Sequence, residues 1–151
     1  MVYAVNRALI TVPDADWLSA GDMPIFQGLL PAGLRPAVGV VTMDDVADHL
    51  RRQPGWSLLR LVGWGGVQMI AAHAARGRPL AWSVQVALCH AAESATSIDL
   101  YGCDGAAGGT PIDCTGYTGP DRSDERWARE ELDLAVTVDL IAARGVTVHR
   151  I

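Results

Sequence analysis

The hydrophobic positions of this chain fall into two alternating kinds of segment. Short apolar runs bounded by turn residues predict strands at residues 2–5, 16–22, 37–42, 56–62, 97–102 and 146–151. Apolar residues at helical spacing predict helices at residues 8–12, 23–30, 43–52, 67–76 and 80–94, and a last helix that begins after Ser123 and ends at Gly145. This alternation is typical of a β/α fold.

Two segments indicate the type of sheet. Residues 37–42 form a continuous apolar run, which is typical of a parallel strand buried on both faces. The helix at 80–94 carries Val84, Leu88 and Ala91 on one stripe, which predicts the most deeply buried helix of the chain. We therefore predict a single domain over residues 1–151: a three-layer, Rossmann-like α/β domain with a mainly parallel sheet of five to six strands and helices on both faces.

Composition excludes several classes of function. Half of the 151 residues are apolar and 19% are charged, which favours a folded domain. The net charge of −5 and the lack of a long basic run argue against a nucleic-acid duplex as partner. No apolar run reaches the roughly 18 residues of a membrane helix, so no membrane partner is expected. Three cysteines without paired spacing predict neither disulfides nor a metal site. We expect a cytoplasmic protein without a cofactor.

Polar or glycine residues follow the ends of the predicted strands. They are Asn6, Asp22, Thr42, the segment Gly63-Trp64-Gly65-Gly66, and Asp104. If the strands are parallel, these positions meet at one edge of the sheet, where open α/β sheets bind ligands. Each residue also has an ordinary alternative, because Asn and Asp favour turns and Thr42 is a good cap for the helix at 43–52.

Two glycine-rich segments extend this edge. Gly63, Gly65 and Gly66 precede a helix, so their N–H groups are candidates for binding a phosphate, although a tight turn that packs Trp64 is the simpler explanation. Residues 105–123 contain five glycines and two prolines. A connection of that length predicts a functional loop or a loop ordered by a partner.

Charged residues cluster where the last helix begins. Three i,i+4 pairs predict a solvated helix face: Glu125–Arg129, Arg126–Glu130 and Arg129–Asp133. Arg122 and Arg126 also follow the glycine-rich loop directly, which makes them candidates for closing over an anionic ligand.

The histidines and Cys89 have ordinary explanations. Cys89 lies in the most buried predicted helix and is expected to be a small core residue. His49 and His73 are expected on exposed helix faces. The sequence does not support a catalytic triad around any of the histidines.

Several segments together resemble a known family. They are residues 3–7 (YAVNR), 17–22 (WLSAGD), 82–89 (WSVQVALC), 97–104 (SIDLYGCD), and the last helix with the strand that starts GVTV at Gly145. In this combination they resemble sialyltransferase-type glycosyltransferase domains and their bacterial and phage relatives, including the motility-accessory-factor type. In that family the corresponding elements build the donor-nucleotide edge of a Rossmann-like sheet.

The resemblance implies a small glycosyltransferase-like protein that binds a nucleotide or sugar nucleotide at the carboxyl edge of its sheet. Asn6, Asp22 and Asp104 would contact donor or acceptor hydroxyls. Asp22 and Asp104 are then the candidate catalytic residues, with Asp22 as general base. The predicted ligand-binding set is Asn6, Arg7, Thr42, Gly63, Gly65, Gly66, Ser83, Gly105, Arg122 and Arg126, the arginines binding phosphate.

Two differences from the family support an alternative function. The family's first strand and glycine/serine loop have no counterpart ahead of residue 3, and residues 113–126 contain no histidine where the family has its general base. The alternative is a non-catalytic protein that binds a nucleotide or sugar, or an accessory protein that forms a homo-oligomer through residues 105–123.

Overall fold

Four of the predicted strands form one parallel sheet. They are β1 (Tyr3–Val5), β2 (Trp17–Ser19), β3 (Gly39–Thr42) and β4 (Arg60–Gly63), which lie side by side in chain order. The computed structural model describes residues 1–29, 31–76, 83–102 and 123–151. Within them, β5 (Ser97–Leu100) and β6 (Thr147–Arg150) pair in parallel as a second sheet. The parallel α/β class is confirmed, whereas the ladders join four strands and two strands rather than five or six.

Helices connect these strands throughout the described ranges. They are α1 (Met23–Leu29), α2 (Asp44–Leu50), α3 (Gln68–Ala74), α4 (Ser83–Ala91) and α5 (Asp124–Ala142). Two 3-10 helices, Asn6–Ile10 and Trp64–Gly66, follow β1 and β4 directly. In the parts of the chain that the structure describes, no helix combines the length and the apolar character needed to cross a membrane.

Side chains of the four-stranded sheet alternate between two faces. One row across the sheet consists of Ala4, Leu18, Val40 and Leu61. It packs with α1, α2 and the first 3-10 helix, and we call this side the α2 face. The next row consists of Val5, Ser19, Val41 and Val62. It lies on the side that packs with α3, α4 and α5, which we call the α4 face. Helices on both faces are therefore confirmed.

Helix α4 crosses its face from the carboxyl edge of the sheet to the amino edge. At its first residue, Ser83 Oγ donates a hydrogen bond to Asn6 Oδ1 (3.0 Å), directly after β1. Near its last residue, His90 Nδ1 lies 2.6 Å from the hydroxyl of Tyr3, where β1 begins. The helix thus runs antiparallel to β1. All of its residues except His90 are buried, which confirms the prediction from the apolar stripe.

Two predicted helix ends are confirmed and one is wrong. Ser123 caps α5 by accepting the N–H of Arg126 (3.3 Å), and Gly145 follows α5 with φ +82°. Thr42, predicted to cap α2, is instead the last residue of β3. It is held there because it pairs with Gly63 of β4. Met43 occupies the N-cap of α2 without a side-chain hydrogen bond.

A glycine in β3 makes room for a tryptophan in β2. Gly39 pairs with Trp17 on one side and with Arg60 on the other. A Cβ atom at Gly39 would lie 2.7 Å from Trp17 Cζ3 and would overlap the carbonyl oxygen of Arg60. Because Trp17 is almost fully buried, its ring cannot move aside without opening the core of the α4 face.

We expect Gly39→Ala to lower the free energy of unfolding by about 1–3 kcal/mol, since the added methyl group meets a backbone carbonyl and a buried ring. The matched control is Gly28→Ala in α1, where nothing lies within 4 Å of the added atom. That change should be neutral or stabilise by about 0.5–1 kcal/mol. Urea denaturation followed by tryptophan fluorescence measures both. Equal effects of the two substitutions would show that Trp17 does not need the space at Gly39.

Candidate functional site

The predicted strand-end residues share the carboxyl edge of the four-stranded sheet. Asn6 follows β1, Asp22 follows β2, and Thr42 and Gly63 are the last residues of β3 and β4. The four strands are parallel and in register, so their ends lie at the same edge. Three further predicted residues, Asp104, Gly105 and Arg122, lie outside the described residues.

Asn6 is the most constrained residue of this edge. Its φ of +53° lies in the left-handed region, the only such value for a non-glycine residue in the described parts of the chain. Asparagine tolerates this conformation better than most residues. Its side-chain oxygen accepts the hydroxyl of Ser83 (3.0 Å), and Ser19 Oγ in turn donates to the backbone oxygen of Ser83 (2.7 Å). The start of α4 is therefore tied to β1 and β2.

Trp64 closes the same edge from the side of β4. A Cβ atom on Gly21 would lie 3.4 Å from the Trp64 ring and 4.0 Å from Ser83 Oγ, so the tryptophan packs closely over the chain that leaves β2. Trp64 Nε1 and Thr42 Oγ1 are both buried and have no hydrogen-bond partner among the described residues. A buried polar atom without a partner costs about 1–3 kcal/mol. The carboxyl edge therefore contains two groups that a ligand or water would stabilise.

The glycine segment after β4 contacts a carboxylate of its own chain. The N–H of Gly65 donates to Asp44 Oδ2 (3.3 Å), and a side chain at Gly63 would overlap Asp44 Oδ1. Gly66 and Trp64 complete the 3-10 helix that follows. A phosphate bound to these N–H groups would have to displace the Asp44 carboxylate. The segment has the form of the tight turn that packs Trp64, the simpler of the two sequence-based explanations.

Asp22 and Arg7 flank the edge on the side of α1 and β1. The side chain of Asp22 is exposed, and its carboxylate has no hydrogen bond or ion pair with any described residue. Arg7 is half-buried in the 3-10 helix beside Asn6. The exposed carboxylate of Asp22 is accessible to a ligand, but no described basic group activates it as a general base.

The charged start of α5 is only partly solvated. Arg126 Nε donates to Glu130 Oε1 (2.8 Å), which confirms that predicted pair. Glu130 is only 3% exposed and Asp133 only 1%, so the prediction of a solvated face is wrong for these two carboxylates. The i,i+4 charge spacing predicts pairing but does not tell which face of a helix turns inward.

Sequence reasoning also missed a buried polar cluster between α3, α4 and α5. The cluster consists of His73, Gln85, Asp133 and Thr137, each at most 1% exposed. His73, predicted on an exposed face, is instead fully buried. The Thr137 hydroxyl donates to the backbone oxygen of Asp133 (2.8 Å) and lies 3.1 Å from Gln85 Nε2 and 3.0 Å from His73 Nε2.

That geometry favours one tautomer of His73. A hydroxyl has one proton, and when Thr137 donates it to the backbone oxygen of Asp133, Thr137 accepts from His73 and Gln85. The tautomer of His73 with its proton on Nε2 fits this arrangement. One sequence signal indicates the cluster: Glu130, Leu134, Thr137 and Ile141 follow the spacing of a single buried stripe.

A second conspicuous pair lies at the amino edge. The Tyr3 hydroxyl and His90 Nδ1 are 2.6 Å apart, and the His90 ring packs edge-on against Trp17 with centroids 4.5 Å apart. Burial raises the pKa of Tyr3 and lowers the pKa of His90. The neighbouring Cys89 is buried, and burial raises its thiol pKa to about 12, which agrees with the predicted core role.

Comparisons with known proteins do not assign a family. No family model, no curated protein and no solved structure matches this chain. Among the described residues, no group of three or more His, Cys, Asp or Glu side chains is arranged to hold a metal ion. The resemblance to sialyltransferase-type domains stays a prediction, and a functional conclusion must rest on the geometry of the sheet edge.

We expect Thr137→Val to lower the free energy of unfolding by about 1–3 kcal/mol, because it removes the hydroxyl that His73, Gln85 and Asp133 share. Thr147→Val, at an exposed position of β6, is the matched control and should have little effect. Urea denaturation of both variants measures the difference. A Thr137 variant as stable as the wild type would mean that the hydroxyl contributes nothing to the helix interface.

Stability should also depend on pH through His90. Burial lowers its pKa from the ordinary 6.5, the nearby Glu93 opposes this change, and Arg60 adds to it. The imidazole of His90 then binds a proton more tightly in the unfolded chain than in the folded protein. The contribution of neutral His90 to the free energy of unfolding is therefore complete above pH 6.5 and is lost as the pH falls below that value.

We expect the free energy of unfolding to decrease as the pH is lowered from 7.5 to 5.5. The substitution His90→Gln should make this decrease smaller. His49→Gln, at an exposed position of α2, should leave the pH dependence as in the wild type. Urea denaturation at the two pH values measures the effect. If His90→Gln retained the full pH dependence, His90 would not be its source.

Proposed function

We propose that this protein binds a nucleotide or sugar nucleotide at the carboxyl edge of its sheet, in a crevice between β1 and β5. The observation that carries the proposal is a change in the side on which the connecting helices lie. The connections from β1 to β4 pack on the α2 face, whereas α3, α4 and α5 pack on the α4 face.

This change of side predicts the position of β5. In a right-handed crossover, the face that the helix covers determines the direction in which the next strand is added. Helices on the α2 face add β2, β3 and β4 in one direction. Helices on the α4 face would then add strands in the opposite direction, so β5 would lie beyond β1 and β6 beyond β5. The full order would be β6-β5-β1-β2-β3-β4, a Rossmann-like arrangement of six strands.

The packing of α4 supports β5 beside β1. The Tyr3–His90 hydrogen bond holds the end of α4 against β1, shortly before β5 begins.

The crevice lies between β1 and β5, where the two directions of strand addition meet. The connection after β1 packs on the α2 face and the connection after β5 packs on the α4 face. Open α/β sheets bind ligands at such a switch point. Asn6 and Arg7 follow β1, and Asp104 and Gly105 follow β5 in the sequence. These residues would contact the ligand first. Ser83 supports Asn6 from α4, and Thr42 and Asp22 extend the edge beyond β1.

An arginine at the start of α5 provides a phosphate contact in this proposal. Arg126 uses Nε for the buried carboxylate of Glu130, and neither of its terminal nitrogens has a partner among the described residues. A guanidinium held in this way presents its two terminal N–H₂ groups to a phosphate. Arg122 precedes it at the end of the glycine-rich segment and would add a second contact.

Binding is better supported than glycosyl transfer. Transfer would need a general base, and the candidate Asp22 is exposed, with no hydrogen bond or ion pair to a described residue that would orient its carboxylate. We therefore propose ligand binding as the primary function. Transfer by Asp22 and Asp104 is the second candidate and is favoured by the accessibility of the Asp22 carboxylate.

Thermal unfolding and calorimetry with a panel of nucleoside mono- and diphosphates and sugar nucleotides test the proposal. A ligand at 100 times its Kd should stabilise the protein by about 2.7 kcal/mol. Asn6→Gly keeps the backbone conformation but removes the amide, and Asp104→Asn removes a charge. We expect each to weaken binding by at least about tenfold. Asp14→Asn, in the exposed loop before β2, is the matched control and should bind normally.

Release of free nucleotide from a bound sugar nucleotide, lost in Asp22→Asn while binding persists, would add transfer to the proposal. If no member of the panel stabilised the protein, or if Asp14→Asn weakened binding as much as Asp104→Asn, the proposed site would be wrong.

A further inference from the structure

The amino edge of the sheet contains an aromatic and charged cleft opposite the proposed nucleotide site. Tyr3, Trp17, Gly39 and Arg60 form one row across β1 to β4 in register. Met1, Tyr3, Trp17, Arg60, His90, Glu93 and Ser94 line a cavity of about 160 Å³ at this row. The sequence predicted none of these residues as part of a site.

Two stacked aromatic rings form the floor of the cleft. The Tyr3 and Trp17 rings stack with an interplanar angle of 13° and centroids 6.2 Å apart. The guanidinium carbon of Arg60 lies 5.6 Å from the Trp17 ring centre, a distance at which a cation is attracted to the ring. Gly39 between them has no side chain to interfere. The Arg60 guanidinium therefore lies against an aromatic ring, and no described acid pairs with it.

Two side chains of opposite charge, Arg60 and Glu93, line this cleft without pairing to each other. The ammonium group of Met1, which also lines the cleft, lies 3.9 Å from Asp16 Oδ2. Arg60 has no ion pair with any described residue. Glu93 accepts the N–H of Gln68 at the start of α3 with Oε1 (2.8 Å), and its Oε2 has no described partner. Both charges act on the Tyr3–His90 pair, in opposite directions. A ligand that bridges them must have a negative and a positive group.

His90 adds a hydrogen-bond donor. When the Tyr3 hydroxyl donates to Nδ1 of neutral His90, the ring proton is on Nε2. No described residue accepts a hydrogen bond from that nitrogen. Together with Arg60 it provides two donors, which suits a carboxylate better than a neutral group.

We propose that this cleft binds a small zwitterionic α-amino acid, with its carboxylate on Arg60 and His90 and its ammonium group on Glu93. A cavity of roughly 150 Å³ accepts a molecule the size of benzene, so the ligand should have about six to eight non-hydrogen atoms. The site lies at the edge opposite Asn6 and Asp22, and its occupancy does not depend on nucleotide binding.

Titration of the full chain with L-alanine, followed by the NMR signals of the Trp17 indole and the His90 ring, tests this inference. Propionate and ethylamine, each lacking one charged group of alanine, serve as half-molecules. We expect alanine to shift both signals saturably and both half-molecules to bind at least about tenfold more weakly.

Two variants with matched controls locate the site. Glu93→Gln keeps the acceptor for Gln68 but removes the charge, and Arg60→Gln removes the cation; each should weaken alanine binding at least about tenfold. Glu125→Gln and Arg52→Gln change exposed charges elsewhere and should bind like the wild type. Circular dichroism checks that each variant is folded. If Arg60→Gln is unfolded, Glu93→Gln alone decides the test.

Two results would overturn the inference. One is an absence of shifts at Trp17 and His90 up to about 50 mM alanine, far above the millimolar range of weak specific ligands. The other is equal affinity for alanine and for propionate or ethylamine, which would mean that the two charges do not act together on one ligand.

Discussion

A parallel sheet has to be covered on both faces, and this constraint organises the whole structure. Strands β1 to β4 are short and almost entirely apolar, and their chain-order arrangement places every connection between them on the α2 face. The other face has to be covered by the second half of the chain. Helices α3, α4 and α5 do so, and their packing with Trp17 and Val41 forms the larger of the two core clusters.

The position of α4 follows from that constraint and links the two edges of the sheet. Its first residue, Ser83, is hydrogen-bonded to Asn6 at the carboxyl edge, and His90 is hydrogen-bonded to Tyr3 at the amino edge. One helix therefore positions residues of two separate candidate sites. The chemistry of the edges differs: amide, hydroxyl and carboxylate groups follow the strand ends, whereas aromatic rings and opposite charges lie at the strand starts.

Sequence patterns predicted the local features of this fold well. The apolar runs indicated the strands, and Ser123 and Gly145 act as predicted because capping and left-handed backbone depend on the residue and its immediate neighbours. Cys89 is buried because its helix, α4, is enclosed by the core along almost its whole length. The parallel direction of the strands also followed from the β/α alternation, and it brings Asn6, Asp22 and Thr42 to one edge.

Features that depend on distant contacts were not predictable in this way. Thr42 looks like a cap until β4 pairs with it, and Gly65 looks like a phosphate loop until Asp44, 21 positions earlier, accepts its N–H. Helical spacing alone did not reveal that His73 of α3 and Thr137 of α5 contact each other in the core. The division of the strands into ladders of four and two depends on hydrogen bonds between segments far apart in sequence.

The proposed switch point requires that strands after β4 are added at the opposite border of the sheet, so that β5 lies beside β1. Val5 and Val62 are equivalent positions at the two borders of the four-stranded sheet, in the same row of the α4 face. Selective methyl labelling and nuclear Overhauser spectroscopy compare their distances to Ile98 and Leu100 of β5. If β5 lies beside β1, Val5 gives strong cross-peaks and Val62 gives none. Cross-peaks from Val62 but not from Val5 would contradict it, and with it the proposed switch point.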